Sequence, residues 1–172
     1  GAAAQKQYNA ADNMTLQLSA FTMLLRAGKG EAATQAFYDQ WKHDRLVMDQ
    51  WFGMQVGVAK PDVAVDVATS LTAHKDFDWK NPNRFRAVLG GMASNHAGFH
   101  RKDGAGYAFL ADWLIKLDDK NPQTTARMCS VFQTWKRYDG GRQALIKMQL
   151  ERIKSKPNLS RDTDEMITRI LG

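Results

Sequence analysis

The run Asn81-Pro82-Asn83-Arg84-Phe85-Arg86-Ala87-Val88-Leu89-Gly90-Gly91-Met92 decides the fold class. Its first residues spell a helix start. An asparagine side chain accepts from the free N–H groups of a first turn, and proline fits next because its missing N–H had no partner there anyway. Behind them Phe85, Val88, Leu89 and Met92 recur at the three- and four-residue intervals of one helix face. The same grammar returns at Asn121-Pro122-Gln123-Thr124-Thr125-Ala126-Arg127, where Met128, Val131, Phe132 and Trp135 continue the stripe.

The helical period extends outward from these two starts in both directions. Met14, Leu18, Phe21 and Leu25 make one stripe, stopped by Gly28 and Gly30, and Ala33, Phe37 and Trp41 make the next. Leu46, Met48, Trp51, Phe52 and Val56 follow the junction His43-Asp44, and Lys60-Pro61-Asp62 opens a helix through Val65, Val67 and Leu71 that ends around 74–77. Residues 93–104, rich in small residues and ending with Asp103-Gly104, read as a loop or short turn. Tyr107, Leu110, Trp113/Leu114 and Leu117 then form a strong stripe, Ile146, Leu150 and Ile153 another, and Ser160 caps a last helix through Met166, Ile167, Ile170 and Leu171. No stretch alternates with the period of a strand. About nine short helices with short connections predict an all-α antiparallel helical superhelix, α-solenoid-like and with degenerate repeats. Residues 1–12 are expected to be a disordered start or an expression remnant, and 13–172 a single helical domain.

Composition narrows the function classes. The chain of 172 residues fits one domain. Its net charge of +6 is uneven, because residues 121–172 hold 10 Lys/Arg against 5 Asp/Glu. That raises one alternative, a standalone basic scaffold gripping nucleic acid or an acidic protein with Lys136, Arg137, Arg142, Lys147, Arg152, Lys154 and Lys156. No apolar run approaches the roughly 20 residues of a membrane helix, and no signal peptide is visible, so no membrane partner and a cytoplasmic location are expected. The single cysteine, Cys129, lies on an apolar helix side and fits a buried thiol.

No complete catalytic motif appears. His96 and His100 have the i, i+4 spacing of a helical zinc pair, but Ala97 stands where a general-base glutamate would be, so these are expected to be surface or interface histidines. There is no Gly-x-Ser-x-Gly elbow, and Leu89-Gly90-Gly91 lacks the Gly-Lys-Ser/Thr of a phosphate loop. Asp118-Asp119 read as helix-end charges, and the five tryptophans as mostly core. The arginines near the two helix starts carry more information. Positive charge is unfavourable there unless an anion or carboxylate sits nearby. Arg84 and Arg86 would pair with Asp76 or Asp78, or Arg86, Gln123 and Arg127 would face a shared cavity that holds a carboxylate.

A family resemblance bears on that choice. Asn13-Met14-Thr15, Phe37-Tyr38-x-x-Trp41-x-x-Asp44, Val47-Met48-Asp49-x-Trp51-Phe52, the 81–86 run, Asp103-Gly104-x-Gly106-Tyr107, Asn121-Pro122-Gln123 and Lys136-Arg137-Tyr138-Asp139 occur in this order. Together they closely resemble the C-terminal domain of the bacterial aminopeptidase N family, zinc alanyl aminopeptidases of the gluzincin type. Arg45 departs from the pattern, standing where members often have proline. The resemblance implies a parent enzyme that releases N-terminal amino acids from peptides. Its zinc site (His-Glu-x-x-His) and Gly-x-Met-x-Asn motif are absent here, so it implies no catalytic residue, no metal ligand and no cofactor in this chain, with zinc in the parent's catalytic domain. It further implies that this domain caps the active site and walls the peptide cavity, that Arg86, Gln123 and Arg127 line the cavity as substrate-binding residues, and that the partners are the catalytic domain of the same polypeptide and peptide substrates, with no nucleic acid.

Overall fold

The computed structural model describes residues 2–10 and 13–172. Among them are eleven α-helices and no strand: α1 (Ala2–Ala10), α2 (Met14–Arg26), α3 (Glu31–Trp41), α4 (Arg45–Gly57), α5 (Ala64–Thr72), α6 (Pro82–Ser94), α7 (His96–Phe99), α8 (Ala105–Asp118), α9 (Pro122–Met128), α10 (Gly140–Lys154) and α11 (Arg161–Leu171). Two 3-10 turns, Cys129–Phe132 and Trp135–Arg137, follow α9. All nine expected helices are present, and the all-α class holds.

The differences have local causes. Residues 2–10, expected to be disordered, form a helix that packs on α2, with Ala4 buried and the Tyr8 hydroxyl donating to the Ala33 carbonyl. The rest of that expected start, Gly1, Ala11 and Asp12, lies outside the described residues. α5 begins at Ala64 rather than at Pro61, and it ends at Thr72. The segment 93–104, expected as a loop or short turn, contains the single turn α7, made by Asn95. Its Oδ1 accepts from Gly98 N while its Nδ2 donates to the carbonyls of Val56 and Ala59, which ties the turn to the end of α4. Beyond Met128 the chain tightens into 3-10 form. Cys129, Phe132 and Trp135 are all buried, and their three-residue interval is the repeat of a 3-10 helix rather than an α-helix.

Alternate helices run parallel. Along α4 and α6, Asp49 meets Arg84, Gly53 approaches Ala87 and Gly91, and Val56 reaches Asn95, all in ascending register. Along α8 and α10, Leu145 lies over Gly104 and Arg152 bonds to Ala108 and Asp112, so these two are parallel as well. Intervening helices run the other way: Phe21 stacks on Phe37 and Trp41 bonds to Gln17, so α3 is antiparallel to α2. Stacked antiparallel pairs of this kind make a superhelix with one continuous core. Phe21, Phe37, Phe52, Phe85, Phe99, Tyr107 and Phe132 are fully buried along its length.

The parallel rows gather helix starts at one end of the molecule. Asp49–Arg84 joins the second turn of α4 to the first turn of α6. Trp113, with its ring centroid 6.3 Å from that of Phe85, lies five residues, roughly 7.5 Å, before the end of α8. Asn121 follows that end at once and caps α9, and buried Asp118 accepts from Ser160, the cap of α11. The starts of α6, α9 and α11 therefore lie toward the C-terminal end of α8, with α4 packed alongside α6.

Candidate functional site

The caps behave as the sequence predicts. Asn81 Oδ1 accepts from the backbone N–H of Asn83 at 3.0 Å and of Arg84 at 3.4 Å, and Asn121 Oδ1 accepts from Thr124 N at 3.1 Å. Pro82 and Pro122 occupy the first turns. With the free N–H groups so partly satisfied, what remains at this end is the positive pole of several helices plus the arginines.

Arg84 and Arg86 divide the labour. Two residues apart on a helix, they point about 200° from each other. Arg84 turns inward: its Nε donates to Asp49 at 2.6 Å, its Nη1 to the Asp76 carbonyl, and its guanidinium lies 4.7 Å from the Phe52 ring centroid. The expected pairing with a carboxylate of Asp76 or Asp78 is thus replaced by Asp49, thirty-five residues away, and by a carbonyl. The Asp76 carboxylate is taken by the Tyr38 hydroxyl, and that hydrogen bond, helped by burial, pushes Tyr38 up to about 12. Arg86 is exposed, and its Nη2 donates to Asn83 Oδ1 at 2.9 Å.

Gln123 and Arg127 are also exposed and, at i, i+4, share one face of α9. No hydrogen bond or ion pair joins Arg86 to either of them among the described residues. The topology places all three at the same end of the molecule, presented by the two Asn-Pro helices.

The histidine pair is built for packing. His96 and His100 lie with ring centroids 4.7 Å apart, but His100 Nδ1 is hydrogen-bonded to the Tyr107 hydroxyl at 2.6 Å and its ring stacks 4.2 Å from Tyr138. Burial, then the neighbouring His96 and Arg142, lowers His100 to about 4, so it is neutral near pH 7. His96 is exposed and His100 half-buried. Among the described residues no group of three or more His, Cys, Asp or Glu is placed to hold a metal ion. Cys129 is fully buried, and burial pushes its thiol up to about 12.

The basic last third is largely committed to internal contacts. Arg142 pairs with Asp139, Arg152 with Asp112, Lys154 with Asp164 and Lys156 with Asp119, four of the seven cations in question. At about 100° per residue, Arg142, Lys147 and Arg152 fall on three different sides of α10, so they form no continuous stripe.

Sequence reasoning missed Asp118. It is 2% exposed and accepts from Ser160 N at 2.8 Å, Ser160 Oγ at 2.6 Å and Thr163 Oγ1 at 2.6 Å. The signal was there: Asp118 falls four residues after Leu114 and eight after Leu110, on the buried stripe of α8.

Comparison with known proteins matches this architecture. The whole chain, residues 1–172, matches the family described as "Domain of unknown function (DUF3458_C) ARM repeats". It is 40% identical over 171 residues to aminopeptidase N of Haemophilus influenzae, covering 97% of this chain and 19% of that protein. Over 168 residues it is 40% identical to aminopeptidase N of Caulobacter vibrioides (96% of this chain, 19% of the relative), and over 170 residues 38% identical to that of Escherichia coli K12 (97% and 19%). Among solved structures, Legionella pneumophila aminopeptidase A, crystallised in complex with aspartic acid, superposes with a TM-score of 0.91 at 33% identity, over 98% of this chain and 20% of that one. The chain thus spans about a fifth of the length of the relatives it matches. It belongs to the DUF3458_C family of ARM-repeat domains and matches the C-terminal ARM-like domain of bacterial aminopeptidase N.

Proposed function

We propose that this domain caps the active site of a zinc aminopeptidase and walls its peptide cavity, with Arg86, Gln123 and Arg127 as substrate contacts. The observation that carries the reading is the likeness to aminopeptidase N along nearly the whole chain, joined to the exposure of those three side chains on the two Asn-Pro helices, Arg86 and Gln123 near their starts and Arg127 in the last turn of the short α9. A guanidinium is suited to bidentate binding of a carboxylate, and the C-terminus of a short peptide supplies one. Holding that end aligns the N-terminus of the peptide with a reacting centre elsewhere in the polypeptide, a contribution by positioning rather than by bond-breaking.

Zinc, which the family resemblance assigns to the parent enzyme, finds no ligand set among the described residues of this domain. The metal chemistry belongs in this reading to the catalytic domain of the same polypeptide, the domain's principal partner, acting on peptides in the cytoplasm.

The test uses the full-length enzyme. Arg86→Ala and Arg127→Ala are expected to raise KM for tri- and tetrapeptides by roughly tenfold, the loss of one charge-assisted hydrogen bond, while leaving KM for alanine p-nitroanilide, which has no carboxylate, within twofold. Equal changes for both substrates would remove the carboxylate-binding role.

A further inference from the structure

A cavity of about 320 Å³ opens where the junction of α3 and α4 meets the loop into α6. Four cations line it (Lys42, Arg45, Lys75 and Arg84), together with the carboxylates of Asp76 and Asp78. Arg86, Gln123 and Arg127 do not, so this is a place distinct from the substrate contacts proposed above.

At its back stands Arg84, whose side chain is nine-tenths buried. Nε and Nη1 are occupied by Asp49 and the Asp76 carbonyl. Nη2 has no protein partner among the described residues, and no buried side-chain nitrogen or oxygen there lacks one, so Nη2 is reached from the cavity. At the rim, Lys42, Arg45 and Lys75 are exposed, and their side chains enter no ion pair or hydrogen bond among the described residues. The acids are each half used. Asp76 Oδ2 accepts from the Tyr38 hydroxyl, and Asp78 Oδ1 accepts from Lys80 N at 3.2 Å, which leaves the second oxygen of each as an acceptor.

A lining of both signs selects its ligand. A plain anion is drawn by the four cations but repelled by two carboxylates, and a plain cation meets the reverse. A compact molecule that carries both charges satisfies both sets at once. The space corresponds to about ten water molecules at ~30 Å³ each, enough for an amino acid with its first shell of water. We propose that this cavity binds a free α-amino acid as its zwitterion, the carboxylate against Arg84 Nη2 and Arg45, the ammonium against Asp76 and Asp78. In an aminopeptidase that ligand is a reaction product, which would make the cavity a product-sensing site; the binding itself does not depend on that role.

Four probes separate the alternatives on the isotope-labelled chain, read by amide chemical-shift titration: L-alanine, N-acetyl-L-alanine, L-alaninamide and inorganic phosphate. L-Alanine is expected to give saturable shifts at the amides of residues 75–81. Each blocked analogue, short of one charge-assisted contact, should bind roughly tenfold more weakly. Asp78→Asn, which keeps the acceptor for Lys80, and Arg45→Ala, at an exposed position, should each weaken L-alanine binding roughly tenfold without moving the unfolding midpoint. Phosphate or N-acetyl-L-alanine binding as tightly as L-alanine would make this a plain anion site, and alaninamide doing so a plain cation site. Either result, or no saturable shift with any probe, overturns the proposal.

Discussion

Alanine at Gly91 should weaken the fold, whereas alanine at its neighbour Gly90 should strengthen it. Both lie inside α6, where Gly→Ala is worth about 0.8–1 kcal/mol in helix propensity. The surroundings differ. A Cβ at Gly90 would meet no atom within 4 Å, but one at Gly91 would stand 2.8 Å from the Gly53 carbonyl oxygen and 3.4 Å from Val56 Cβ. That oxygen belongs to the backbone of α4 and cannot swing aside, so the two helices must separate. Overpacking of this kind costs about 1–3 kcal/mol, more where backbone is displaced. The expected net effects are a gain of about 0.8–1 kcal/mol for Gly90→Ala and a loss of about 1–2 kcal/mol for Gly91→Ala. In a chain of this size, 1 kcal/mol moves Tm by about 2–4 °C. Far-UV circular dichroism during thermal and urea unfolding reads both. Shifts of the same sign for the two variants would refute the claim that α4 and α6 touch through their backbones at this crossing.

Other outcomes follow from the polar interior. Asp118→Ala strands three donors and should cost about 3 kcal/mol in urea unfolding, whereas Asp118→Asn, which can re-pair some of them, should cost about 1–2 kcal/mol; equal losses would mean that the carboxylate only fills space. His100 is held near 4 against an ordinary 6.5, so the unfolded chain takes up this proton first as pH falls. Its contribution is therefore whole above about 6.5 and lost on descent toward 4, and His100→Gln should flatten the fall in urea midpoint between pH 7 and pH 5. An unchanged slope would assign that acid limb to other groups. Cys129, pushed up to about 12 from 9.0, is a protonated, enclosed thiol at pH 8. Iodoacetamide should alkylate the native chain at least about a hundredfold more slowly than the chain in urea, and comparable rates would show that the 3-10 region opens readily.

Helix positions were legible because period, caps and prolines agreed. At Asn81, Asn121 and Ser160 the cap side chain bonds as its residue type predicts. The N-terminal helix was not legible, because an alanine-rich segment with Tyr8 as its one large apolar residue shows no stripe. α7 depends on Asn95 reaching carbonyls 36 and 39 residues away, which no local pattern encodes. For the candidate site, sequence singled out the arginines at the helix starts but not their separate roles. Which of Arg84 and Arg86 turns inward depends on Asp49, on a different helix. The two-signed cavity was invisible for the same reason, since Lys42 and Asp78 are neighbours only once α3, α4 and α6 have packed.

The burial of Arg84 has a consequence for Arg86. Its guanidinium clamps the first turn of α6 to α4 through Asp49, to the preceding loop through the Asp76 carbonyl and to Phe52 through the ring face. Arg86 thus projects from a turn that has already surrendered its backbone freedom. Under the proposed contact of Arg86 with a peptide carboxylate, only its side-chain torsions would remain to be frozen on binding, and the entropic cost would fall to that extent. The inward arginine preorganises the outward one.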